Sequence, residues 1–175
     1  MPKPNQRLQY ERAVKGELAV LYRVARRMGA TPEQAEDLVQ TTLVKAYQAW
    51  DTFDGRFLRS WLIRILRNER LMEVRADRQE PSLDQNPEIE VAAGPFWDDL
   101  GLKLEAERIL AELDALPDIY KIAIHLIDVE QMTYEEAAEV MEVPIGTVRS
   151  RLFRGREMLR KRVLRLTGML GQVTL

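Results

Sequence analysis

The chain has 175 residues, 46% hydrophobic and 31% charged, with 26 Lys and Arg against 28 Asp and Glu. That balance suits a folded soluble chain of one ordinary domain or two small ones, and no apolar run approaches the roughly 20 residues that span a bilayer. Without cysteine, disulfides, thiol nucleophiles and thiolate metal sites are excluded, and the one histidine, His125, has no partner at metal spacing. No catalytic set, metal or cofactor is expected. The amino-terminal MPKPNQRLQYERA lacks the apolar core of a secretory signal, so a cytoplasmic protein is expected.

Helical periodicity recurs along the chain and strand signals are nearly absent. Val14, Leu18, Leu21, Tyr22, Ala25 and Met28 fall on one helical face, and Gly29 offers a left-handed cap. TPEQ restarts a helix: Thr31 is the N-cap, Pro32 the first helical residue and Gln34 the capping-box partner. Ala35, Leu38, Val39, Thr42, Leu43, Ala46, Tyr47 and Trp50 then repeat at i, i+3, i+4 spacing. After the break at DTFDGR, a third helix is predicted from about Phe57 to Asp77, with Leu58, Trp61, Leu62, Ile65, Leu66 and Met72 on its apolar side. Residues 81–103 carry three prolines, two glycines and many acids without a period, and read as a linker. The adjacent Phe96 and Trp97 keep open a linker with its own binding path rather than a bare tether.

Helices return over about 104–115 and 118–130. A short one then begins at TYEE, where Thr133 is the N-cap and Glu136 closes a capping box. After EVP, Pro144 opens a last helix, so two short helices joined by a tight turn outline a helix-turn-helix. The last helix is unusual in its charge. From Arg149 to Arg165 it holds eight Lys or Arg and one Glu, masked in the total by the acid of residues 81–142. Val148, Leu152, Gly155, Leu159, Val163 and Leu166 form a narrow apolar stripe, while Ser150, Phe153, Arg154, Glu157, Arg160 and Lys161 fall opposite. An exposed Phe among arginines and a serine suits a nucleic-acid surface. Arg binds guanine edges or phosphates, and Phe packs on a thymine methyl or sugar. The plainer alternative is a solvated cationic helix whose Phe153 packs on another domain.

LDALPDIYKIAIHLIDVEQMTYEEAAEVMEVPIGTVRSRLFRGREML resembles the promoter-recognition domain of extracytoplasmic-function (group 4) sigma factors of bacterial RNA polymerase. QAEDLVQTTLVKAYQAWDTFDGRFLRSWLIRILRNERLMEVR is similar to their N-terminal domain. The resemblance implies an all-α fold of two small helical domains, residues 1–80 and 104–175, joined by an acidic linker at 81–103. It implies −35 element contacts by Arg149, Ser150, Phe153 and Arg154, with Thr147 and Arg151 on the DNA backbone. It also implies polymerase clamp contacts by Glu36, Asp37 and Gln40, and −10 contacts around Trp61, Arg64, Asn68 and Arg75. Trp61 lies on the apolar stripe, so its expected role is in the core and its DNA role indirect. The partners implied are core RNA polymerase, duplex and melted promoter DNA, and an anti-sigma factor, with no membrane insertion. The acidic linker would thread a basic channel of the polymerase.

Three positions and one run depart from the family pattern. Met72 stands where Asp is usual, ADRQE dilutes the basic run after Arg75, and Gln131 and Glu142 replace usual glycines. A left-handed Glu142 would cost on the order of 1 kcal/mol. The alternatives are a helix-turn-helix regulator that needs no polymerase, and a sigma-like adaptor without promoter melting. A helical metalloenzyme needs carboxylate–His sets that one histidine does not supply.

Overall fold

The computed structural model describes residues 4–77 and 106–166, and every regular element among them is helical. These residues form two compact units, one of 4–77 with 135–142, the other of 106–134 with 143–166. The linker predicted over 81–103, with Phe96 and Trp97, lies outside the described residues.

In the first unit the face expected over Val14–Met28 is divided. Helix α1 spans Pro4–Val14, a 3-10 turn covers Lys15–Glu17, and α2 spans Leu18–Arg27. Gly16 in the break has low helical propensity, and Leu18 beyond it is exposed rather than part of the core. Helix α2 ends as Gly29 predicts. With φ at 78°, the Gly29 N–H donates to the Arg26 carbonyl at 3.1 Å and Ala30 N–H to the Ala25 carbonyl at 3.3 Å, the paired bonds of a Schellman cap.

Helix α3, Pro32–Gln48, begins with the expected capping box. Gln34 N–H donates to Thr31 Oγ1 at 3.2 Å, and Thr31 N–H to Gln34 Oε1 at 3.0 Å. Ala35, Leu38, Thr42 and Ala46 are buried, and Thr42 satisfies its hydroxyl by donating to the Leu38 carbonyl at 2.7 Å. Helix α4, Leu58–Asp77, buries Ser60, Leu62, Ile63 and Leu66. Met72, expected on its apolar side, is 63% exposed. At 100° per residue Met72 stands about 120° round from Leu66, off the buried stripe.

An aromatic cluster closes one end of this unit. Tyr47, Tyr10, Trp50, Phe53 and Trp61 follow one another in that order with ring centroids 4.8–5.3 Å apart, the spacing of favourable tilted and offset rings. The Tyr10 hydroxyl donates to the Leu43 carbonyl at 2.6 Å, and burial pushes its pKa up to about 12.

The second unit begins with α5, Ala106–Asp114, and α6, Asp118–Ile124. The helix expected to run to residue 130 changes character at His125, where a π turn covers His125–Val129. Its widened bond runs from Glu130 N–H to the His125 carbonyl at 2.9 Å, and Gln131 leaves it at φ 56°. His125 is buried, with Nε2 3.3 Å from Glu130 Oε1. Helix α7 spans Tyr134–Met141, all but its first residue counted with the first unit, and α8 of the second unit spans Ile145–Leu166. Glu142 between them has φ 54°, the strained left-handed geometry that its replacement of glycine anticipates. Pro144 stands just before α8 rather than as its first residue, its carbonyl accepting from Thr147 and Val148 N–H at 2.9 and 3.2 Å.

Leu113, Leu116, Ile124, Leu152, Leu159 and Val163 form the core of this unit. Gly155 lets α8 approach α6 closely. A Cβ there would stand 3.0 Å from Ile124 Cδ1 and 3.1 Å from Tyr120 Cβ.

Candidate nucleic-acid interface

Helix α8 buries Val148, Leu152, Gly155, Leu159 and Val163, five of the six stripe positions, and leaves Leu166 exposed near its end. With that stripe inward, Arg149 is exposed and Phe153, one turn on, is 40% exposed. Thr147 and Arg154 are half-buried beside them.

Two of the residues expected to contact DNA turn out to be buried. Ser150 is 1% exposed, and its hydroxyl donates to the Thr147 carbonyl at 3.0 Å, a bond internal to the helix. Arg151 is 4% exposed. It follows Val148 by three residues and precedes Gly155 by four, so it lies on the buried flank, where an aliphatic stem packs well.

The basic run is also partly spent on internal pairing. Arg156 donates from Nη2 and Nε to the Asp128 carboxylate at 2.6 and 3.1 Å, and Arg162 Nε donates to Glu112 at 2.6 Å. The Asp128 hydrogen bonds raise the Arg156 pKa above its ordinary value. Arg149 is held differently, its guanidinium carbon 5.4 Å from the centroid of the Tyr134 ring.

In the first unit Trp61, Arg64 and Asn68 are half-buried on one face of α4, at i, i+3, i+7 spacing. Helical register carries that face on to Arg75, whose side chain lies outside the described residues. Trp61 joins the aromatic cluster, 4.8 Å from Phe53 and 6.2 Å from Trp50. Glu36, Asp37 and Gln40 are exposed together on α3, opposite Ala35, Leu38 and Thr42.

The stretch after Asn68 has structural work that spacing did not reveal. Glu69 pairs with Lys45 of α3 at 2.6 Å. Arg70 reaches the end of α2, donating to the Met28 and Gly29 carbonyls at 3.3 and 3.0 Å. Among the described residues no cluster of three or more His, Asp or Glu is arranged to hold a metal, and no helix is long and apolar enough to cross a membrane.

Two helical units, with a short helix followed by a long basic one, fit a transcription initiation factor of the Sigma-70 type. Sigma-70 region 2 matches residues 13–80, and Sigma-70 region 4 matches residues 106–159. The ECF RNA polymerase sigma factor SigW of Bacillus subtilis is 32% identical over 155 residues, 82% of either chain. The ECF RNA polymerase sigma-E factor of Escherichia coli K12 is 35% identical over 138 residues, 73% of this chain and 72% of its own. Among solved structures, the sigma factor RpoE from Bartonella quintana, crystallised with the anti-sigma factor NepR, aligns with TM-score 0.68 at 29% identity. The alignment covers 90% of this chain and 97% of RpoE. CnrH, in complex with the cytosolic domain of CnrY, aligns with TM-score 0.62 at 25% identity, over 94% and 89% of the two chains.

The chain belongs to the ECF RNA polymerase sigma factors. It directs promoter-specific transcription initiation, with core RNA polymerase and promoter DNA as partners, and is not itself an enzyme.

Proposed function

We propose that α8 reads the −35 element through Arg149, Phe153 and Arg154, with Thr147 on the DNA backbone. The observation that carries this reading is Phe153, a large apolar side chain left 40% exposed among cations while the stripe behind it is buried. The same helix presents the two chemistries that major-groove reading needs, guanidinium donors for guanine edges and an apolar ring for the thymine methyl. Ser150 and Arg151, expected to share these contacts, act instead by holding the shape of the helix.

The α4 face of Trp61, Arg64, Asn68 and Arg75 would take the non-template strand of the −10 element once it is melted. Single strands offer base faces and a continuous run of phosphates, which aromatic, Arg and amide groups on one edge can hold together. Trp61 would act there through the cluster it supports. The exposed trio Glu36, Asp37 and Gln40 would dock on the polymerase clamp, and the acidic segment 81–103 would occupy a basic channel of that enzyme. The setting would be the cytoplasm. Regulation by an anti-sigma factor is supported by the RpoE of similar fold, which was crystallised with the anti-sigma factor NepR.

In vitro transcription tests the reading. Core polymerase with this protein initiates at a selected promoter set, and Arg149→Ala or Arg154→Ala reduces initiation by weakening −35 binding. Confirmed core binding without initiation on any genomic template would favour an adaptor over a promoter-melting factor.

A further inference from the structure

We propose that Tyr134 is a positioning residue for promoter reading: its ring seats the Arg149 guanidinium and sets where that cation meets the −35 duplex. The inference rests on the −35 reading of α8. Tyr134 is the first residue of α7, half-buried and packed against the core of the second unit. Arg149 leaves the first turns of α8, and its guanidinium lies 5.4 Å from the ring centroid. That is inside the approximately 6 Å range over which the negative face of an aromatic ring attracts a cation.

The arrangement supplies what an exposed arginine lacks. A free guanidinium on a long stem samples many rotamers, and ordering them on DNA opposes binding. A planar fork already held at one angle loses less. Because Tyr134 packs against the core, the ring cannot swing aside without opening contacts behind it. Tyr134 and Arg149 belong to the same compact unit, and the packing of Tyr134 on its core sets the angle of the fork. Bidentate recognition of a base edge requires such an orientation. The attraction uses the ring face and not the hydroxyl, so phenylalanine can replace tyrosine.

The test uses full-length protein reconstituted with core polymerase and a promoter library randomised in the −35 element, read by sequencing the transcribed members. Base preferences of the wild-type holoenzyme define what is read, and Arg149→Ala shows which positions Arg149 governs. Tyr134→Leu is expected to flatten those same positions by roughly two- to fivefold. Tyr134→Phe keeps the wild-type pattern, and Tyr134→Leu adds no loss in an Arg149→Ala background. A leucine variant that merely loosens the fold lowers all library members alike and adds its loss to that of Arg149→Ala, which overturns the proposal. A phenylalanine variant that falls with leucine overturns it too, by moving the effect to the hydroxyl. Absence of any −35 preference in the wild type refutes the reading beneath the proposal, whereas a pattern retained by Tyr134→Leu refutes the seat alone.

Discussion

Asp128→Asn probes whether Arg156 belongs to the framework of the second unit and not to the cationic surface its sequence context suggests. The guanidinium and carboxylate meet through two bonds of 2.6 and 3.1 Å, with the Asp128 side chain 5% exposed and that of Arg156 19% exposed. A hydrogen bond to a charged group contributes about 1.5–3 kcal/mol. Asparagine keeps one acceptor but turns an NH2 toward the guanidinium, so one bond is lost and a donor faces a donor. Breaking a fully buried pair on one side costs about 3–5 kcal/mol, and the residual exposure of Arg156 lets water recover part of that. The expected cost is therefore about 2 kcal/mol. For a unit of this size it lowers the urea midpoint by roughly 1–2 M, followed by far-UV circular dichroism on the full chain. A pair this shielded is weakly screened, so the shift persists in high salt. Lys161→Gln, at an exposed cation of the same helix, is the control. A midpoint for Asp128→Asn no lower than that of the control refutes the assignment.

Gly155→Ala sets two effects of opposite sign against each other. Helix propensity favours alanine by about 1 kcal/mol, but the new Cβ would meet Tyr120 Cβ, tied to the α6 backbone, at 3.1 Å. Overpacking of about 1–3 kcal/mol prevails, so the thermal midpoint falls, and a rise would show that α6 and α8 can part without cost. Arg70→Ala removes the bonds to the Met28 and Gly29 carbonyls. Its expected cost is about 1–2 kcal/mol in denaturant unfolding, and an Arg70→Lys variant that restores only part of it would identify the two-pronged contact. Tyr10 gives a pH signature. Its folded pKa, pushed up to about 12 by burial, lies above its ordinary value of about 10. The neutral phenol is thus favoured by folding, and its contribution is whole below pH 10 and lost as pH rises toward 12. Wild-type stability measured relative to Tyr10→Phe should be flat below that window and decline within it. A difference that stays constant through the window would rule out the linkage.

Local signals alone determined the helices and several of their ends. The Thr31–Gln34 capping box, the left-handed Gly29 and five of the six α8 stripe positions stand as periodicity and cap chemistry predict. These features depend on bonds spanning five residues or fewer and on which face is apolar, and both are written in neighbouring positions. The same pattern identified Phe153 as an apolar side chain off the stripe.

What each polar residue does was decided by tertiary structure. Arg156 reads as one more cation of a basic run until the fold brings Asp128, 28 residues earlier, against it. Arg70 follows Asn68 in an atypical stretch and caps a helix end 41 residues upstream. Ser150 looked outward on a helical wheel, and the resemblance put Arg151 on the DNA backbone, but neither shows how far packing extends on the flanks of the stripe. The π turn over His125–Val129 is a change of helix type that helical periodicity cannot anticipate. Periodicity reports where apolar surface must go. A charged or hydroxyl group finds its partner only when distant helices arrive, so its role belongs to the fold.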